Sequence, residues 1–222
     1  TAVAETGTTD TFTVVLNAQP TSDVVLMMTS SDTGEATVTG TLTFTPVNWN
    51  SAQTATVTGV DDNIIDSTIT STITITVVDA SSDNDFDPVA DQTVTATTTD
   101  NDVAGFTIVQ SGGSTSVAET GTTDTFTVVL NAQPASNVVL TVTSSDTGEA
   151  TVTGNLTFTS ANWNSAQTIT VTGVDDNIID GTITSTITIA VDDASSDNDF
   201  DPVANQTVTA TTTDNDVAGF TI

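Results

Sequence analysis

Ile69-Thr70-Ser71-Thr72-Ile73-Thr74-Ile75 alternates aliphatic and small polar side chains, and Thr11-Phe12-Thr13-Val14-Val15-Leu16 begins in the same way. A period of two sends successive side chains to opposite faces of an extended chain, so both stretches read as half-buried β-strands. Outward from them, further strands read over 24–29, 36–45, 53–58 and 93–99. They are separated by clusters of Asp, Asn, Gly and Ser, residues that favour turns. Helical periodicity is absent throughout. Roughly seven short strands in about 100 residues predict an all-β, antiparallel sandwich. Its core is expected from Phe12, Leu16, Val25, Leu42, Phe44, Trp49, Val57, Ile73, Ile75 and Val94. That is a lean core for such a domain, so a bound metal would contribute to folding itself.

The chain repeats itself. Trp49 recurs as Trp163, Glu5 as Glu119 and Asp100 as Asp214, each 114 positions on, and residues 1–108 differ from 115–222 at only 13 positions. A period this long exceeds solenoid repeats and matches a domain with its own core. The expected partition is a first sandwich over 1–102 lacking its opening strand, a second over 103–216, and the opening strand of a following repeat over 217–222. The junction Asp100-Asn101-Asp102 runs into Val103-Ala104-Gly105-Phe106-Thr107-Ile108 without a Gly/Ser spacer. Val217 to Ile222 is expected to lack a partner in its own chain and to be able to fill the vacant edge of a neighbouring molecule. The chain reads as a fragment of a longer array.

Every formal side-chain charge is negative: 29 Asp and Glu face no Lys, Arg or His. No side-chain salt bridge is possible, and two unit charges about 4 Å apart repel by roughly 4 kcal/mol at an effective dielectric near 20. Runs such as Asp61-Asp62 and Asp100-Asn101-Asp102 therefore need an external cation. All-oxygen donors in irregular loops suit Ca2+. Without His, Lys, Arg, Cys or Tyr, the chain lacks most groups used in nucleophilic, Schiff-base or imidazole catalysis, so a non-enzymatic role is expected. Nucleic acid and anionic lipid are excluded as partners, because both are bound through Lys and Arg. There is no Cys, hence no disulfide, and no apolar run near the roughly 20 residues that cross a bilayer. Thr1 opens the chain without a charged or apolar leader pattern.

Four acidic motifs recur in fixed order: Val3-Ala4-Glu5; Ser31-Asp32 followed by Gly34-Glu35-Ala36-Thr37; Val60-Asp61-Asp62-Asn63 with Asp66; and Thr99-Asp100-Asn101-Asp102 ahead of Ala104-Gly105. Together they resemble a Calx-beta domain, across nearly all of each repeat. The resemblance implies a seven-stranded sandwich of immunoglobulin-like shape with Ca2+ held at one pole. It implies a first ligand set of Glu5, Asp32, Asp61, Asp62, Asp66, Asp100 and Asp102. The second set would be Glu119, Asp146, Asp175, Asp176, Asp180, Asp214 and Asp216. Ile69 stands where relatives carry a further acid, and Asn63 and Asn101 interrupt otherwise acidic triplets, so fewer or weaker ions are expected.

Other features carry competing readings. Asp83, Asp85 and Asp87 place oxygens alternately as an EF-hand does, without its central Gly and terminal Glu, and read equally as a solvated loop. Trp49 and Trp163 are expected at the sandwich edge, with a carbohydrate platform as the competing reading. The Thr-rich stretch 68–76 is read as an ordinary solvent face, not an ice-binding array. Asp32-Thr33-Gly34 and Asp146-Thr147-Gly148 mimic a paired aspartic-protease motif, but they fall one domain apart. The combined expectation is an extender segment of a large bacterial surface adhesin of the RTX type, extracellular and rigidified by calcium at its joints. A carbohydrate- or cell-binding module using Trp49, Trp163 and the acidic loops is the alternative.

Overall fold

In the computed structural model, which describes residues 1–222, the alternating stretches become strands of two units, Thr1–Asn101 and Asp102–Ile222. The first unit holds β1 (Ala2–Ala4), β2 (Thr9–Val14), β3 (Val24–Ser30), β4 (Ala36–Val38), β5 (Thr41–Phe44), β6 (Gln53–Gly59), β7 (Ile69–Val77) and β8 (Gln92–Thr99). They form two sheets, ordered β1-β8-β7-β3-β5 and β2-β6-β4. The second unit opens with β9 (Phe106–Gln110), which has no counterpart in the first. It continues with β10 (Thr115–Ala118), β11 (Thr123–Leu130), β12 (Val138–Ser144), β13 (Ala150–Val152), β14 (Leu156–Phe158), β15 (Gln167–Gly173), β16 (Ile183–Val191) and β17 (Gln206–Thr213). Its sheets are ordered β10-β17-β16-β12-β14 and β13-β15-β11-β9. Each unit is an all-β, immunoglobulin-like sandwich. The helical content is limited to single 3-10 turns such as Asp79–Ser81, and no helix is long and apolar enough to cross a membrane.

Alternation fills the core as expected along most strands. Phe44, Val57 and Ile73 are fully buried, and Phe12, Trp49, Ile75 and Val94 pack partly against them. The phase of β3 is a correction: Val24, Leu26 and Met28 point inward, while Val25 is only half-buried and stands outside the core. The stretch 36–45 is not one strand. Thr39 donates to the Thr56 carbonyl (2.9 Å) in one sheet, and the next carbonyl, that of Gly40, accepts from Met28 N–H (2.8 Å) in the other. The chain therefore changes sheets between β4 and β5. Pairing is antiparallel with one exception in each unit: β1 runs parallel to β8, and β10 parallel to β17. Val217 to Ile222 forms no strand, and Val217, Phe220 and Ile222 are exposed.

The loop after β7 is closed by Asp83. Its carboxylate accepts from Thr21 N–H (2.6 Å), Thr21 Oγ1 (2.8 Å), Ser22 N–H (3.0 Å) and Asp85 N–H (3.1 Å). The hydrogen bonds from Ser22 and Asp85 lead those that hold its pKa down at about 2. Asp83 thus serves as a latch between this loop and the turn before β3.

Candidate metal centre

Backbone geometry brings the acidic motifs of each unit to one end of its sandwich. A Cβ at Gly59 would lie 2.1 Å from the Ala4 carbonyl oxygen, so only glycine at the end of β6 lets β1 pass this closely. Gly173 has the same relation to Ala118. This approach delivers Glu5, the residue after β1, into the interior at 1 % exposure, and Glu119 likewise. Glu5 N–H donates to the Thr99 carbonyl (3.1 Å), and Asn101 N–H returns a bond to Glu5 Oε2 (3.1 Å). The end of β1 and the exit from β8 are tied together in this way.

Asp100 organises the loop from 61 to 67. Its Oδ2 accepts from Asp66 N–H and Ser67 N–H, both at 3.1 Å; Asp214 repeats this with Asp180 (3.1 Å) and Gly181 (2.9 Å). Ser67 adopts a left-handed φ of 66°, a conformation that favours the glycine found at the equivalent Gly181. Within the loop, Asp62 Oδ1 accepts from Ile64 N–H (2.7 Å), and Asp61 Oδ1 from the Asn101 side-chain amide (3.0 Å). Asp176 and Asp175 repeat both bonds with Ile178 and Asn215.

The carboxylates that converge most tightly include two that the motif reading did not assign as ligands. Glu5, Glu35 and Asp66 place oxygens within 4.8 Å of one another, as do Glu149, Asp176 and Asp180, and Glu119, Asp180 and Asp214. Glu35 and Glu149 each precede a short strand and are buried to 6 % exposure. Each lies in the Gly-Glu-Ala-Thr stretch of the second acidic motif, as the last residue before an inward-facing alanine, Ala36 or Ala150. Asp32 and Asp146 stand apart from these groups. Each accepts from a glycine N–H two residues on (3.0 Å) and shapes an exposed turn. Asp102 opens the second unit. Its equivalent, Asp216, is half-buried, with its N–H donating to Asp214 Oδ1 (2.6 Å). Trp49 and Trp163 are both half-buried, and the Trp49 carbonyl accepts from Leu16 N–H.

The electrostatics follow from acids packed without counter-charge. Burial, then repulsion from Asp66, Glu5, Asp62 and Asp32, raises Glu35 to about 7. Burial likewise raises Glu5, Asp66 and Glu149, in each case reinforced by neighbouring carboxylates. Glu119 is pulled down by the Asn215 N–H, but burial and Asp214 leave it raised on balance. Asp214, which accepts N–H bonds from Asp216, Gly181 and Asp180, is lowered.

A divalent cation fits these donors. Glu35 Oε2, Asp66 Oδ1, Glu119 Oε1 and Glu149 Oε2 are buried oxygens without a hydrogen-bond partner, and a buried acceptor left unpaired costs about 1–3 kcal/mol, more when charged. No basic side chain exists to pair with them. Hard oxygen ligands, carboxylate-rich and set in loops, match the donor set of calcium.

The raised carboxyls fix the pH response of the metal-free protein. A group whose folded pKa lies above its unfolded value binds more protons when folded, so stability falls as pH rises between the two values. For Glu35 that window runs from about 4.5 to about 7. Calorimetry in chelator should give a higher melting temperature at pH 5 than at pH 7.5, and saturating calcium should remove or invert the difference. A metal-free melting temperature that climbs across this range contradicts the assignment.

No protein-family model matches the chain, and no curated protein matches it. Similar solved structures include S-layer protein SbsC domains 4 and 5, at 20 % identity and a TM-score of 0.40 over 85 % of this chain and 70 % of that one. Surface layer protein SbsC, domains 1-6, gives 21 % identity and a TM-score of 0.41; this chain spans 20 % of its length and is covered over 85 % of its own. Calcium binding domain CBD12 of CALX1.1 gives 14 % identity and a TM-score of 0.34 over 85 % of this chain and 76 % of that one.

Proposed function

We propose that the chain is a pair of calcium-stabilised structural modules, an extender segment of an extracellular bacterial surface protein of the adhesin class. One observation carries the reading: in each unit, buried carboxylate oxygens without partners face other carboxylates in a chain that has no cationic side chain. In the first unit Glu5, Glu35, Asp66 and Asp100 would hold the ion, with Asp62 beside them. In the second, Glu119, Glu149, Asp176, Asp180 and Asp214 would do so. Of the other motif acids, Asp32, Asp61, Asp146 and Asp175 would complete the negative field around the site, and Asp102 and Asp216 close the acidic runs that Asp100 and Asp214 open. The ion would supply charge neutralisation and cross-linking.

The placement of the ligands gives that cross-link a mechanical role. Glu5 follows the first strand, Asp66 lies in the loop before β7, and Asp100 follows the last strand. An ion among them fastens the outgoing chain to the body of the module and restricts the joint beyond it. At low cytoplasmic calcium the carboxylates repel and keep the chain loose. Extracellular modules that bind at about 0.1–1 mM would close on reaching the outside. A role in extension is also consistent with the absence of His, Lys, Arg, Cys and Tyr.

Small-angle scattering of the two-unit chain tests this reading. Calcium should lengthen and narrow the distribution of interatomic distances, and chelator should restore the broad one. Scattering profiles that superimpose with and without calcium count against it.

A further inference from the structure

β7 begins beyond the acidic loop 61–67 and ends at an open groove of about 510 Å³. The strand is nine residues long, so at about 3.3 Å per residue its two ends lie roughly 26 Å apart, and the groove is separate from the metal centre. Its floor belongs to the outer face of the sheet, on the inner strands β3 and β7. Met27 stands opposite Thr76, and because Leu26 and Met28 turn inward, Met27 turns out, at 44 % exposure. Val78 is half-buried and is held alongside β3 by its N–H bond to the Val25 carbonyl (2.9 Å). Three carboxylates, Asp79, Asp87 and Asp91, share the lining. Asp87 Oδ1 is shielded from solvent and has no hydrogen-bond partner.

The second repeat does not preserve this groove. The repeats differ at 13 positions of 108, yet four of the nine groove residues are among them. Met27 is replaced by Thr141, Thr76 by Ala190, Val78 by Asp192 and Asp91 by Asn205. Thr141 Oγ1 donates to the Ala190 carbonyl (3.1 Å), and Asp192 puts a charge where Val78 is apolar. The first unit thus combines an apolar floor with three carboxylates, whereas the second has a charge in the floor and an amide at the rim. Substitutions concentrated in one groove of otherwise near-identical domains give that groove a specificity the other domain lacks.

We propose that this groove docks an arginine side chain presented by a segment of a partner protein, with the methylene stem on Met27 and Val78 and the guanidinium against Asp87, flanked by Asp79 and Asp91. Long basic side chains lay their stems on apolar surface while the charged head reaches polar partners. A guanidinium also meets a carboxylate with two parallel hydrogen bonds, where an ammonium offers only a point charge. It gives Asp87 Oδ1 the donor it lacks. The partner is not a second copy of this chain, which has no Lys or Arg. One side chain on an open groove makes a weak contact, with a dissociation constant on the order of 1 mM. The inference goes beyond the calcium reading and makes no use of it.

The probe is a blocked pentapeptide with one arginine between leucines, titrated into the two-unit chain at saturating calcium and about 0.15 M salt, where a Debye length of about 8 Å screens diffuse attraction to the acidic surface. Amide resonances of residues 27, 76–80 and 87–91 should shift along one saturation curve, while those of 141, 190–194 and 201–205 stay in place. Met27→Thr combined with Val78→Asp gives the first unit residues with which the second already folds, and should weaken binding tenfold or more. The same peptide with glutamine for arginine should not bind. Shifts of equal size in both units reduce the effect to net charge and overturn the proposal, as does a glutamine peptide that binds equally well or a double variant that binds as before. Groove amides that respond to a calcium titration and not to the peptide make this a cation site, which overturns it too.

Discussion

Calcium at about 10 mM should raise the melting temperature of the metal-free chain by roughly 10 °C. With a dissociation constant of about 0.1–1 mM, that concentration is ten to a hundred times saturating, and linkage gives about 1.4–2.7 kcal/mol per ion. A domain of about 100 residues shifts by roughly 4–8 °C per kcal/mol. The effect is large here because the metal-free state carries Glu5, Glu35 and Asp66 within 4.8 Å of one another and no internal cation to offset them. Differential scanning calorimetry with calcium, magnesium and chelator checks it. Magnesium should do less, since it needs tight octahedral geometry and keeps its waters. A calcium shift below about 2 °C would remove the case for a structural metal.

Replacing the buried glutamates should produce opposite effects in the two states. Glu35→Gln and Glu149→Gln keep side-chain shape but delete one negative charge from each cluster. In chelator the change relieves repulsion and desolvation, so the variants should melt higher than the parent. The gain for Glu35 is about 1 kcal/mol once solvent screening at the pole is allowed for. In calcium each variant loses a ligand, and the melting temperature should fall below the parent's by about as much or more. Melting curves that keep the same rank order with and without calcium would show that these glutamates are not ligands. Asp32→Asn is the informative comparison. If the turn bond to Gly34 N–H (3.0 Å) is its whole role, its calcium response should match the parent's; a lost response would restore Asp32 to the ligand set that the motif spacing suggests.

How much of this was legible in the chain depends on the range of the interactions involved. The strands with clean alternation, β7 and β6, were readable because each residue's face follows from its neighbours. Val24-Val25-Leu26-Met27-Met28 is apolar throughout, so it carries no phase, and only packing decides that Val24, Leu26 and Met28 turn inward. β1 is three residues long and is held by β8, more than 90 positions away; nothing local announces it. The loop acids at 61–66 and 100–102 were conspicuous as runs in turn-forming sequence. Glu35 and Glu149 are single acids within the second motif and form no such run. Their burial arises only where Val60 N–H reaches the Glu35 carbonyl (2.8 Å) and Thr98 Oγ1 donates to the same atom (3.3 Å), contacts across 25 and 63 positions. Asp32 lies in the same motif as Glu35 and accepts the Gly34 N–H in a local turn (3.0 Å).

In the proposed extender role, the parallel alignment of β1 with β8, and of β10 with β17, would govern how a module responds to tension. Tension enters at the leading end of the first strand and leaves at the trailing end of the last, so it acts along the ladder in shear. Every rung between the two strands is strained together and none can be peeled away singly. Glu5 and Asp100 sit where the pair ends, so an ion bridging them would act as a rivet at the point where traction leaves the fold.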